Sequence, residues 1–282
     1  MDARANDLDI LRSDFYLCLA RAFMTPDAPL HEAMSAHLAD ELGELSDAIG
    51  YGADREVDAY RECMASIRGA DELLQVYSRL FLQPPRAVHI NTGVYLDGTL
   101  HGGSVQELDD WYRECGVQRA GGFPDLSDHA AVQLECASYL YAHSPAAPEA
   151  ASACRVRHAP AFLGRFAARW MHAFVADLEL AQRMLGMAPT PYWALARILA
   201  AAVARDAEAR TDLSPAQERR ERALALARHK QAAKGVTAEE LDGIRQRLAE
   251  RGLATDHLDR AYADRDQARG WHRMTPPAPR RT

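Results

Sequence analysis

The chain has 282 residues with 48% hydrophobic content and a formal net charge of −7, which is enough apolar material for a folded core and excludes a disordered chain. No apolar stretch of about 18 residues and no N-terminal signal-peptide pattern is found, so neither a membrane span nor a cleaved leader is expected. Residues 1–206 carry 28 acidic against 17 basic side chains, and residues 207–282 carry 12 against 16. The acidic main part disfavours nucleic acid as a ligand and suits a basic partner.

The N-terminal part of the chain has apolar residues at the spacing of an amphipathic helix. Residues 7–24 form the first predicted helix, which Pro26 and Pro29 are expected to end. Weaker amphipathic helices are expected at 31–49 and 54–68.

The segment DELLQVYSRLF, residues 71–81, predicts a further helix. Leu73, Tyr77 and Leu80 lie on one face of it, with Leu74 and Phe81 beside that face. Two consecutive prolines after it are expected to end the helix.

Residues 86–103 are rich in glycine and β-branched residues and have no helical period, so a long ordered loop is expected. Ser104 and Glu107 then form a capping box that opens a helix ending at Gly116. A second glycine-containing loop, GGFPDLSDH, leads into a helix expected from about Asp128 to Ala142.

The C-terminal half also predicts helices. One long helix is expected over 161–185, with its inward face formed by Phe162, Phe166, Trp170, Phe174 and Leu178 and with Gly186 as its C-terminal cap. Thr190 and Pro191 begin the next helix as N-cap and first residue. Two further capping boxes open short charged helices after residue 207.

These patterns predict an all-α fold, with a single helical-bundle domain at 1–206. A charged helical extension is expected at 207–270 and a disordered Pro/Arg tail at 271–282. The five cysteines show no C-x-x-C spacing and are odd in number, which is typical of core residues in a reducing compartment. A cytoplasmic protein is therefore predicted.

The segment around Asp125, Asp128 and His129 is the main candidate site. Asp125 or Asp128 could cap the following helix, with His129 paired to one of the carboxylates. A metal site with Glu135 is disfavoured because His129 and Glu135 lie nearly opposite each other on a helix, and no metal-binding motif is present. A nucleotide- or metal-dependent hydrolase centred on Asp128 and His129 stays as the alternative, although no nucleophile elbow or phosphate loop is found.

The order of several segments resembles the TorD/DmsD/NarJ family of chaperones for molybdenum-cofactor oxidoreductases. In chain order the segments are YSRLF, NTGVYLDG, DDWYRECGV, PDLSDHAAVQLECASYL and FLGRFAARWMHAFVADL, and the resemblance covers roughly residues 8–206. The sequence departs from the family pattern at Gly93, where a serine is common, and in the residues that precede the Asp-His pair.

This resemblance implies a system-specific cytoplasmic chaperone that binds the twin-arginine signal peptide, the apo form, or both, of the catalytic subunit of a molybdopterin oxidoreductase before export. Carboxylates would pair with the arginines of the leader, and apolar side chains would line a groove for the apolar run that follows. His129 would order the acidic loop or respond to pH. The peptide-binding residues implied are Tyr77, Leu80, Phe81, Tyr95, Asp125, Asp128, His129 and Glu135.

A chaperone of this kind needs no catalytic residue, metal or cofactor of its own, and none is predicted. It is expected neither to bind nucleic acid nor to insert stably into a membrane. A monomer or a homodimer is compatible with the resemblance.

Overall fold

The computed structural model describes residues 3–84, 86–100, 102–117, 125–143 and 158–207. All of them belong to the first of two compact units of the chain, Met1–Ala225. The second unit, Leu226–Thr282, lies outside the described residues, as do the helices and the tail expected after residue 207.

The described residues form α-helices and no strand, which confirms the all-α prediction. A π-helical turn, Ser78–Leu82, follows α5 directly, and an isolated antiparallel bridge joins Asn91 to His129. The helices are α1 (Ala3–Ala22), α2 (Ala28–Ala36), α3 (Leu38–Ile49), α4 (Asp54–Ala65), α5 (Ala70–Tyr77), α6 (Gly93–Asp97), α7 (Gly103–Cys115), α8 (Ala130–Ala142), α9 (Ala159–Arg165), α10 (Ala167–Met184) and α11 (Pro191–Asp206).

Local signals placed several helix ends correctly. Thr190 is the N-cap of α11, and its side chain accepts a hydrogen bond from the amide of Trp193 at 3.4 Å. Gly116 follows α7 and Gly186 lies just after α10, with φ of 75° and 60°, the left-handed conformation that ends many helices.

Two predicted long helices are each divided in two. The segment 31–49 breaks at His37 (φ −129°), and α2 starts earlier because Asp27 caps it and Pro29 occupies its first turn instead of ending a helix. The segment 161–185 breaks at Phe166. Phe162 and Phe166, which flank the break, both pack on Trp111 of α7, with ring centroids 5.9 and 5.5 Å from its ring.

The predicted loop 86–103 contains the short helix α6. Asp97, the last residue of α6, binds the polar groups at the start of α7. The backbone amide of Ser104 donates to Asp97 Oδ2 at 2.9 Å, and the Ser104 hydroxyl donates to the same oxygen. The Glu107 carboxylate pairs with Arg165, whereas in a capping box it would accept a hydrogen bond from a backbone amide at the start of the helix. The expected capping box is therefore wrong, because a carboxylate from the preceding helix already binds the free groups at the start of α7.

The largest fully buried side chains of the described residues are mostly aromatic and come from helices far apart in the chain. Phe81 packs on Phe174 of α10 and on Tyr192 of α11, with ring centroids 6.2 and 5.5 Å apart. The helix α1 packs along α8, and α11 contacts both α4 and α10. This packing fixes the start of α8, where the candidate site lies.

Candidate functional site

The start of α8 is joined to the segment before α6 by backbone hydrogen bonds. The amide of Thr92 donates to the carbonyl of Asp128 at 3.0 Å, and the amide of Ala130 donates to the carbonyl of Ile90 at 3.0 Å. The two glycine-containing loops of the sequence therefore meet at one place, although the paired residues are 36 and 40 positions apart in the chain.

The carboxylate of Asp128 is buried where the start of α8 meets the segment before α6. Its side chain is buried, with the residue 1% exposed. One carboxylate oxygen accepts from the amide of Gly93 at 2.8 Å, and the other accepts from the side-chain amide of Asn91 at 3.3 Å. Burial raises the pKa of Asp128, and these two hydrogen bonds oppose the increase.

The contact between Gly93 and Asp128 explains why no side chain is present at position 93. A Cβ there would lie 2.8 Å from Val105 Cγ2 and 2.9 Å from Asp128 Oδ2. The departure from the family pattern at this position therefore has a steric reason, since the backbone amide of the glycine makes the polar contact.

His129 is the N-cap of α8. Its Nδ1 accepts a hydrogen bond from the amide of Ala131 at 3.1 Å. Burial lowers the pKa of His129 to about 4, against an opposing effect of the charge of Asp125, so the ring is neutral at pH 7. The expectation that Asp125 or Asp128 caps this helix is therefore wrong, because the Asp128 carboxylate is bound to Gly93 and the imidazole occupies the cap.

A buried glutamine that sequence analysis did not single out extends the junction into the core. Gln133 donates to the hydroxyl of Thr92 and, at 3.4 Å, to the carbonyl of Asp128, and its amide oxygen accepts from Trp170 Nε1 at 3.1 Å. A glutamine one turn after a cap carries no local signal of this role, because both side-chain partners lie about 40 residues away.

Asp125 and Glu135 are the predicted site carboxylates that solvent reaches. Asp125 is half-buried and accepts from Asn91 Nδ2 at 3.0 Å and from the amide of Leu126 at 2.7 Å. Glu135 is exposed on α8. Both hydrogen bonds of Asp125 fix its direction, so the loop presents a carboxylate of defined orientation.

Tyr112 lies among several of these acidic groups. Its hydroxyl donates to the carbonyl of Ser127 at 3.2 Å. Burial raises the pKa of Tyr112, and the nearby Cys136, Asp109, Asp128 and Glu135 raise it further. Acidic groups of α7, of the segment before α8 and of α8 are therefore within electrostatic reach of Tyr112.

The apolar members of the predicted site lie in the core. Tyr77, Leu80 and Phe81 are at most 1% exposed, and Tyr95 is 8% exposed. Tyr77 and Phe81 pack on each other with ring centroids 5.0 Å apart, and Tyr95 packs against Trp170. Phe81 and Tyr95 both pack against Phe174 of α10, so these side chains belong to the core in this structure, and a peptide groove lined by Leu80, Phe81 and Tyr95 stays a prediction.

None of the helices described is both long and apolar enough to cross a membrane. Among the described residues, no group of three His, Cys, Asp or Glu side chains has the arrangement of a metal site.

The described residues thus form an all-α domain in which Asp128 and His129, at the start of α8, are held against the segment before α6. The family model described as nitrate reductase delta subunit matches residues 31–176, just over half of the 282 residues. The chain therefore belongs to the nitrate reductase delta subunit family, the NarJ/TorD type of molybdoenzyme maturation chaperone.

This membership confirms the predicted class, which is a family of chaperones and not of enzymes. The matched residues lie inside the range 8–206 over which the sequence resembles this family. A comparison with curated protein sequences found no match.

Proposed function

We propose that the protein binds the twin-arginine leader of a nitrate-reductase-type molybdoenzyme subunit in the cytoplasm and holds the subunit back from export until its cofactor is inserted. Membership of the chaperone family carries this proposal. The acidic region around the start of α8 supports it, because such a leader combines an arginine pair with an apolar run.

The arginine pair would bind to the carboxylates that solvent reaches. Asp125 is half-buried, and both Glu135 on α8 and Asp109 on α7 are exposed. Guanidinium groups form charge-assisted, often bidentate hydrogen bonds with carboxylates. Exposed ion pairs contribute only about 0–1 kcal/mol each, so this region would supply recognition of the arginines more than affinity.

Asp128 and His129 would position the acidic loop instead of touching the peptide. Asp128 binds Gly93 and Asn91, and Asn91 also donates to Asp125. His129 fixes the first turn of α8. A change at either residue would shift Asp125, so lost binding in such a variant does not by itself identify a contact with the leader.

The test is fluorescence anisotropy with a labelled synthetic peptide that has two adjacent arginines followed by an apolar run. The triple variant Asp109→Asn/Asp125→Asn/Glu135→Gln keeps side-chain shape and the acceptor oxygen of residue 125. We expect it to bind the peptide at least about tenfold more weakly than wild type at low salt, with a smaller salt dependence.

The matched control removes three exposed carboxylates from α3, α4 and α5, in Glu44→Gln/Glu62→Gln/Asp71→Asn, and changes the net charge by the same amount. Equal weakening in both triple variants would mean that only net charge matters, and would reject the acidic region as the arginine site. A wild-type protein that binds neither this peptide nor a molybdoenzyme subunit would reject the proposed function.

A further inference from the structure

The chain contains a segment of its own with the two features that the proposed function requires of a leader. Residues 219–227 read RRERALALA, so Arg219 and Arg220 are adjacent, and an uncharged alternation of alanine and leucine begins three positions after them. Both arginines precede the second compact unit, Leu226–Thr282. A site that recognises an arginine pair followed by an apolar run would therefore find the same chemistry within its own chain.

The charge around this segment is opposite to that of the main part of the chain. Residues 214–234 carry six basic against two acidic side chains, whereas residues 1–206 carry 17 against 28. The carboxylates proposed to bind a leader are the half-buried Asp125 and the exposed Asp109 and Glu135. Guanidinium groups pair with carboxylates in the same way whether they belong to a leader or to the chain itself.

The last described residue before this segment lies near one end of α8. Ala207 follows α11 with extended backbone, φ −70° and ψ 129°. The carboxylate of Asp206 pairs with Arg12 at 3.3 Å, and the guanidinium carbon of Arg12 is 5.7 Å from the centroid of the Tyr141 ring. Tyr141 belongs to the last turn of α8, so the end of α11 is held beside the helix whose first turn follows the acidic loop.

The chain is long enough to bring the arginine pair to these carboxylates. Glu135 and the start of α8 lie about 9 and 17 Å from Tyr141 along the helix axis, and therefore within about 25 and 35 Å of the end of α11. The chain from Ala207 to Arg219 spans up to about 40 Å when extended, or about 30 Å when its last five residues are helical. The pair therefore reaches Glu135 in both cases, and the start of α8 in the extended one.

Tethering makes a weak contact effective. A ligand joined to its site by a short linker has an effective concentration in the millimolar range, so exposed ion pairs that hold a free peptide poorly can still occupy the site. A leader then has to displace the tethered pair. Its apparent affinity is reduced in proportion to the fraction of sites that the chain leaves open.

We propose that Arg219 and Arg220 bind the carboxylates of the leader site when no leader is present, so that the chain competes with its partner for this site. This inference rests on the proposed function, because the carboxylates are those assigned to the leader. The contact sets a threshold for binding. A basic peptide that lacks an arginine pair and an apolar run does not displace the tethered pair, whereas the leader does.

The test measures binding of the labelled twin-arginine peptide to the full-length protein by fluorescence anisotropy at low salt. Arg219→Gln/Arg220→Gln removes the pair, and Arg245→Gln/Arg247→Gln removes the same charge from two arginines that are not adjacent. We expect the first variant to bind the peptide at least about threefold more tightly than wild type and the control variant. Circular dichroism establishes that each variant is folded.

A double-mutant cycle tests whether the pair acts through the carboxylates of the leader site. In the background of Asp109→Asn/Asp125→Asn/Glu135→Gln, the gain from Arg219→Gln/Arg220→Gln should disappear. In addition, a labelled peptide with the sequence of residues 214–231 should bind the full-length Arg219→Gln/Arg220→Gln protein, and unlabelled twin-arginine peptide should displace it.

The outcomes separate the two proposals. If wild type binds the twin-arginine peptide and Arg219→Gln/Arg220→Gln binds it no more tightly than wild type or the control variant, the competition inference is wrong while the proposed function stands. A gain that persists without the three carboxylates overturns the inference in the same way. If neither wild type nor Arg219→Gln/Arg220→Gln binds the peptide or a molybdoenzyme subunit, the proposed function fails and the inference fails with it.

Discussion

The histidine that caps α8 should make the stability of this protein depend on pH in a defined window. His129 is 3% exposed, and its Nδ1 accepts the hydrogen bond from Ala131. A protonated imidazole would lose that acceptor and place a positive charge in the core. The substitution His129→Asn isolates this effect, because asparagine is among the best N-cap residues and does not titrate.

The magnitude follows from the difference in pKa between the two states. Burial lowers the pKa of His129 from 6.5 to about 4 in the folded protein. Between these values the unfolded chain binds the proton and the folded chain does not, so stability is full above about pH 6.5 and falls as the pH decreases towards 4. At about 1.4 kcal/mol for each pH unit, the loss is about 3 kcal/mol.

The assay is urea denaturation of wild type and His129→Asn at several values between pH 7.5 and 4, followed by circular dichroism. The buried Asp128, whose pKa is raised, contributes in the opposite direction in both proteins. The free energy of unfolding of wild type should fall by about 3 kcal/mol more than that of the variant. Parallel pH profiles for the two proteins would refute the assignment of His129 as a buried neutral cap.

Two further substitutions test the packing on which the site depends. Gly93→Ala should lower the free energy of unfolding by about 1–3 kcal/mol in urea denaturation, because the added Cβ meets Val105 Cγ2 at 2.8 Å. Tyr51→Phe should lower it by about 1–3 kcal/mol in the same assay, because the Tyr51 hydroxyl donates to the buried carboxylate of Asp206.

Matched controls make these two predictions specific. Gly103→Ala adds a Cβ with no atom within 4 Å and should change stability by less than about 0.5 kcal/mol. Tyr139→Phe removes the hydroxyl of a side chain on α8 that is 37% exposed and should be equally mild. If either test substitution were as mild as its control, the contact assigned to it would not contribute to stability.

The sequence by itself determined the features that depend on neighbours within one or two turns. Periodic apolar residues predicted an all-α chain and the inward face of the helices in the C-terminal half, and Phe162, Phe166, Trp170, Phe174 and Leu178 are all buried. Thr190 and Pro191 predicted the start of α11, since a cap and its helix are adjacent in sequence. The motif order likewise identified the family that the family model then matched.

Only the tertiary structure decided what the side chains of the candidate site do. The pattern around Asp128 fits a helix cap locally, yet its carboxylate binds Gly93, 35 positions away, which leaves the cap to His129. The apolar face at Leu80 and Phe81 gives a second example, because its sequence pattern is the same whether the face lines a groove or lies in the core. The structure places Phe81 in the core, where Phe174 and Tyr192 pack against it. Local patterns report which faces are apolar and which groups need partners, whereas the choice of partner depends on residues brought together by packing over most of the chain.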